Sequence, residues 1–144
     1  MLIHSASQLL TLAGGPQRGH ALGTLGIIEN GAVVVRDEKI IAVGTTDELR
    51  NAYPDEPTLD AGQCVLMPGF VDPHTHLIWA GDRANEFEMK MGGMAYLDIL
   101  AAGGGIISTV KATRTASMEM LIAQTRPRLL RMFSHGTTTA EAKT

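Results

Sequence analysis

Cysteine is nearly absent from this chain of 144 residues, Cys64 being the only one. A single thiol excludes an intrachain disulfide framework and fits a reducing compartment. Its position ahead of the apolar run Val65-Leu66-Met67 predicts a small buried residue rather than a nucleophile, because no base stands near it in sequence. Long apolar runs are missing too. The best candidate, MAYLDILAAGGGII from Met94 to Ile107, is interrupted by Asp98 and falls short of the ~20 apolar residues of a membrane span. No basic segment precedes the apolar residues of the opening MLIHSASQLLTLAGG, so no secretory signal is expected. Nor is there an excess of positive charge. The 12 Lys and Arg are scattered among 15 Asp and Glu, for a net charge of −3, which argues against a nucleic-acid partner, as the missing span argues against a membrane one. A cytoplasmic protein is expected.

What is present suffices for one ordinary domain, since 44% of the residues are hydrophobic. To about Ala61 the sequence reads as short strands and turns. GAVVVRDEKIIAVG, from Gly31 to Gly44, places two β-branched runs around a polar RDEK and predicts a hairpin. Thr46 then offers itself as the N-cap of a short helix that stops at Pro54, and the turn-rich stretch from Leu12 to Gly26 reads as a loop. Beyond it a strand is expected over 64–72, followed by glycine-rich loops alternating with helices. A long amphipathic helix is predicted from Ser117, with Leu121, Thr125, Leu129, Met132 and Phe133 on its buried face. Pro127 is expected to kink that helix or to begin a second one, and Gly136 to end it. A further strand from residue 137 completes the βα unit of a parallel sheet, so the fold class is α/β. Two parallel strands with one crossover cannot bury both faces, so the chain reads as an unfinished piece of a larger fold.

The chemistry concentrates in PGFVDPHTHLIWAGDR, from Pro68 to Arg83. Side chains alternate along a strand, which would put Asp72, His74 and His76 on one face. Two imidazoles at the C-terminal end of a barrel strand can ligate one metal ion; Asp72 would either orient a ligand or bond to backbone. A catalytic zinc site takes three protein ligands and a water, and none of His4, His20 or His135 makes a compelling third. The triple glycine at Gly103–Gly105 is not a phosphate loop, lacking the lysine and hydroxyl of that pattern.

These residues resemble a known family. LMPGFVDPHTH is similar to the first barrel strand of the amidohydrolase superfamily. The segments FVDPHTHLIWAGDRANEFEMKMGG, YLDILAAGGGIISTVKATRTAS and HGTTTAEAKT are similar more narrowly to the imidazolonepropionases. The resemblance implies a composite fold: residues 1–63 as N-terminal strands of a small β-sandwich, and 64–144 as the first βα unit and second strand of a truncated (β/α)8 barrel. It implies hydrolysis of the cyclic amide of 4-imidazolone-5-propanoate to N-formimino-L-glutamate, in histidine degradation. One divalent ion, zinc or iron, would be held by His74 and His76. Arg83 would bind the substrate's propanoate with Tyr96 near the same group, and the full-length protein would form a homodimer. The remaining ligand, the catalytic carboxylate and the base have no counterpart up to Thr144, so no catalytic residue is expected within the chain and the isolated chain is expected to be inactive. Without the family, Arg83 could equally form a surface salt bridge with Asp82, Glu86 or Glu88. The alternatives are another amidohydrolase, a deaminase or a cyclic-amide hydrolase, and a non-catalytic β-rich module.

Overall fold

Alternation along the first strand buries Leu2, His4 and Ala6 on one face, and everything in the N-terminal half is built on that strand. In the computed structural model, which describes residues 1–143, contacts divide the chain into two units, the first being Met1–Pro68 and the second beginning at Gly69. Strand β1 (Leu2–Leu10) pairs antiparallel with β2 (Ile27–Arg36), and β2 pairs antiparallel with β3 (Lys39–Thr45). The β2–β3 hairpin turns on Asp37 and Glu38, both at positive φ, the geometry a two-residue turn needs to match strand twist. On its other side β1 runs parallel to the short strands β4 (Thr58–Asp60) and β5 (Val65–Leu66), giving a mixed five-stranded sheet.

Helix α1 (Thr46–Ala52) closes over this sheet with Leu49, which joins Leu2, Ala32 and Val34 in the core. Its N-cap is Thr45, not Thr46. The Thr45 hydroxyl accepts from the Glu48 N–H, and the Glu48 carboxylate accepts from the Thr45 N–H at 2.9 Å, a capping box. Thr46 is buried instead, its hydroxyl accepting from the Ser5 N–H at 2.9 Å. A TT pair offers two caps, and the acid three residues on selects the first.

The strand expected over 64–72 is divided. Val65 and Leu66 pair with β1, while the next strand, β6 (Phe70–Thr75), begins beyond Pro68 and Gly69. Proline cannot donate to a ladder, and a Cβ on Gly69 would stand 2.9 Å from Cβ of Thr138, so the chain enters β6 only through a glycine. Cys64 is exposed rather than buried: its carbonyl accepts from the Ser7 N–H at 2.9 Å, and the thiol is left facing outward.

In the second unit β6 pairs in parallel with β7 (Thr137–Ala142), as the βα reading predicts. Between them lie α2 (Ala84–Met91), α3 (Tyr96–Ala101), α4 (Ile106–Thr115) and α5 (Met118–Ser134). Ser117 caps α5 by accepting from the Met120 N–H, and Gly136, at φ +92°, follows its C-cap. The helix runs through Pro127 without starting anew. Pro127 is exposed, so water can take the carbonyl that its missing N–H leaves free. The expected buried face is only half realised: Leu121, Thr125 and Met132 are partly covered, whereas Leu129 and Phe133 remain 43% and 67% exposed. Among the described residues, no helix is long and apolar enough to cross a membrane.

Candidate functional site

The C-terminal end of β6 is irregular. Its pairing with β7 shifts register between Asp72 and Thr75, where Pro73 and His74 lie. Proline has no N–H to give, and a bulge is how a strand absorbs one. His74 is the second-last residue of the strand, His76 lies just past its end at Thr75, and both are exposed. Their rings nevertheless meet: the centroids are 5.3 Å apart and the planes cross at 62°. Two imidazoles bound to one ion at about 2.0–2.1 Å in a near-tetrahedral arrangement have centroids about 5 Å apart, so this spacing fits a shared ion. Among the described residues no cluster of three or more His, Cys, Asp or Glu surrounds them.

Asp72 bonds to backbone rather than to a ring, its Oδ1 accepting from the His74 N–H at 3.1 Å. Its carboxyl is held below the usual carboxylate range, first by the neighbouring Thr75 hydroxyl and then by the His74 N–H. The Thr75 hydroxyl is buried with no well-formed hydrogen bond, so it acts on Asp72 as a nearby dipole rather than as a bonded donor. Across the pair, the Lys143 N–H donates to the Thr75 carbonyl at 2.8 Å and fixes the strand end.

None of the other histidines joins this pair. His4 is 5% exposed and contacts Ser5 Oγ at 2.7 Å and the Arg50 guanidinium at 3.1 and 3.2 Å. His135 Nδ1 sits 2.8 Å from the Arg131 carbonyl, a helix-terminal contact, and His20 is exposed in the loop before β2.

The segment after His76 is pinned at several points. Arg128 of α5 donates to the carbonyls of Leu77 at 3.1 Å and Trp79 at 2.9 Å, with its guanidinium 3.5 Å from the centre of the Trp79 ring. The Ala80 N–H donates to Thr113 Oγ1 of α4 at 3.1 Å. Gly81, at φ +75°, passes so close that a Cβ there would lie 2.8 Å from Cβ of Ala112. The chain thus reaches Arg83 along a fixed path.

Arg83 precedes α2 and pairs with Glu86, Nε donating at 2.8 Å to a carboxylate oxygen that also lies 2.6 Å from Nη2. The other Glu86 oxygen accepts from the Gly105 N–H at 2.8 Å. The contact raises the Arg83 pKa, and Glu86 is held low, by Arg83 first and also by the Gly105 N–H.

Arg83 and His76 line one cavity of about 650 Å³, together with Trp79, Val110, Thr113 and Arg114. Tyr96 does not line it. It borders a second hollow of about 300 Å³ that Arg83 and Glu86 also line, so Arg83 stands at both. Sequence reasoning missed α4 as a wall of the site, although Ile106, Thr109, Val110, Thr113 and Arg114 follow helical 3–4 spacing and would have shown it. It also missed Arg128, whose only signal was a cation within an amphipathic helix.

Residues 31–55 match a family profile described as an imidazolonepropionase-like composite domain of bacteria. Along nearly the whole chain there is similarity to proteins named imidazolonepropionase. The Herpetosiphon aurantiacus protein is 49% identical over 142 residues, covering 99% of this chain and 33% of the relative. Those of Chloroflexus aggregans and Symbiobacterium thermophilum are each 47% identical over 146 residues, with 34% of each relative covered. The crystal structure of Helicobacter pylori aminofutalosine deaminase in complex with methylthio-coformycin superposes with a TM-score of 0.59 at 19% identity. That match covers 98% of this chain and 29% of the deaminase, a likeness of fold alone. The chain spans about a third of the length of the curated relatives it matches, and nearly all of its own length is similar to them.

Proposed function

We propose that this chain carries the first two metal ligands and the substrate-carboxylate arm of an imidazolonepropionase. Such an enzyme hydrolyses the cyclic amide of 4-imidazolone-5-propanoate to N-formimino-L-glutamate in cytoplasmic histidine degradation. The observation that carries this reading is the placement of His76, 5.3 Å ring to ring from His74, and Arg83 on one cavity. Identities of 43–49% to proteins of that name support it. In this reading β6 and β7 are the first two strands of a (β/α)8 barrel, and the five-stranded sheet belongs to a small β-sandwich. Their parallel pairing and the position of the histidines at a strand's C-terminal end favour it.

His74 and His76 would hold a divalent ion, zinc or iron. Such an ion lowers the pKa of a bound water and polarises a carbonyl. The protein's own part is orientation. Arg83 offers a planar fork to the propanoate, which a carboxylate can engage with two hydrogen bonds. Trp79 and Val110 supply apolar walls that exclude water from the bound ring. Tyr96 would act from the smaller hollow, which Arg83 also lines.

The test is to follow loss of 4-imidazolone-5-propanoate and formation of N-formimino-L-glutamate with zinc- or iron-loaded protein carrying the complete barrel. Turnover abolished by His74→Ala and His76→Ala is expected. Turnover that survives both substitutions, or a preference for deaminating an aminopurine, would overturn the reading.

A further inference from the structure

The Arg83 ion pair is more than a surface bridge, because its acid is also tied to a third element. Glu86 gives one oxygen to Arg83 and the other to the Gly105 N–H, so a single carboxylate joins α2, the loop before it and the N-cap of α4. The Glu86 side chain is only 14% exposed, while Arg83 is 44% exposed. The acid is therefore the interior end of the pair and the guanidinium the outer end. Gly105 presents its N–H at φ +77°, and a Cβ there would run into the Leu100 side chain, so this donor is built into the backbone.

A guanidinium has five N–H donors. One, on Nε, donates to Glu86, Nη2 lies against the same carboxylate oxygen, and the Nη1 edge makes no hydrogen bond within the described residues. We propose that Glu86 is a positioning residue for carboxylate recognition: it locks Arg83 so that its free edge is presented to an acid bound in the cavity that Arg83 shares with His76 and Trp79. The inference rests on the reading of Arg83 as the carboxylate anchor. An unrestrained arginine would have to lose rotamer entropy on binding, and fixing the side chain beforehand removes part of that cost. Glu86 also offsets the charge of Arg83. Arg114 and Lys143 line the same cavity against one acid, Asp82, and keep it attractive to an anion.

Trp79 is the sole tryptophan and lines this cavity, so its fluorescence reports binding without any need for turnover. The probes are 3-(imidazol-4-yl)propanoate and, as its counterpart without a carboxylate, 4-ethylimidazole, titrated into this chain and into its Arg83→Gln, Glu86→Gln and Glu86→Asp forms. Arg83→Gln is expected to weaken the acid by about tenfold or more, and Glu86→Gln by about three- to tenfold, with 4-ethylimidazole unchanged in both. Glu86→Asp keeps the charge but is too short to span Arg83 and Gly105, so it should resemble Glu86→Gln. Acid binding unaltered in Glu86→Gln but lost in Arg83→Gln would overturn the role of Glu86 and leave the anchor standing. Equal weakening of both probes by Glu86→Gln would show a general structural role and overturn it too. Arg83→Gln with undiminished acid affinity, or no saturable binding by the parent chain, would overturn the anchor itself and the inference with it.

Discussion

Arg128 lies with its guanidinium 3.5 Å from the centre of the Trp79 ring and donates to the Trp79 carbonyl at 2.9 Å, so one side chain grips both the ring and the backbone of the same residue. A third contact, to the Leu77 carbonyl at 3.1 Å, extends the grip to the residue after His76. Among the described residues no carboxylate takes part, and burial alone pushes the Arg128 pKa down. The loop is held by geometry rather than by an ion pair.

Arg128→Ala is accordingly expected to cost about 2 kcal/mol, from a charged hydrogen bond and a partly exposed cation–π contact. Arg128→Lys keeps the charge without the planar fork and should recover less than half. Urea denaturation followed by circular dichroism at 222 nm measures both. A lysine variant as stable as the parent would show that charge, not the fork, holds the loop.

Gly81 is the second fixed point. Alanine there must adopt φ +75° and sit 2.8 Å from Ala112, so Gly81→Ala should cost about 1–3 kcal/mol and loosen the cavity wall. The check is its urea midpoint against that of Gly93→Ala, also at positive φ but with open space around the added carbon. Equal losses would assign the effect to backbone strain alone.

At the start of α1 the neighbouring threonines should separate by chemistry. Thr45→Ala removes a cap, at about 1 kcal/mol. Thr46→Val leaves the Ser5 N–H without its acceptor in a part-buried site, at about 1–3 kcal/mol. Amide exchange at Glu48 should accelerate in the first variant and at Ser5 in the second.

Acid should act through depressed carboxylates. Glu48, Asp72 and Glu86 are all held low in the fold, so each contributes stability that is present above its unfolded value and lost as pH falls through its folded value. The thermal midpoint should therefore stay level with respect to these groups near neutrality and fall below about pH 4, within the ordinary Asp and Glu range. Glu86→Gln should flatten part of that fall. An unchanged acid slope in this variant would contradict the depressed pKa of Glu86.

The elements themselves were legible where local chemistry is strong. The Asp37-Glu38 turn between β-branched runs, Ser117 before α5 and Gly136 after it each announce a boundary. What stayed hidden depends on distant partners. Val65 and Leu66 read as one run with Phe70 and Val71 because nothing in the sequence says that β1 takes the first pair. Leu129 and Phe133 follow the helical period but lie exposed, since periodicity marks a face and not the surface that covers it. In the site, the His pair and Arg83 stand out by residue type and spacing. The grip of Arg128 on a loop 49 residues earlier does not, because an arginine in an amphipathic helix is ordinary until its partners are seen.

The central claim, that His74 and His76 hold one metal ion together, is tested most directly by titrating zinc into metal-free protein by calorimetry. One ion per chain is predicted, with affinity falling about tenfold or more on either His74→Ala or His76→Ala and unchanged in His20→Ala and His135→Ala. Equal zinc affinity in all four variants would contradict it.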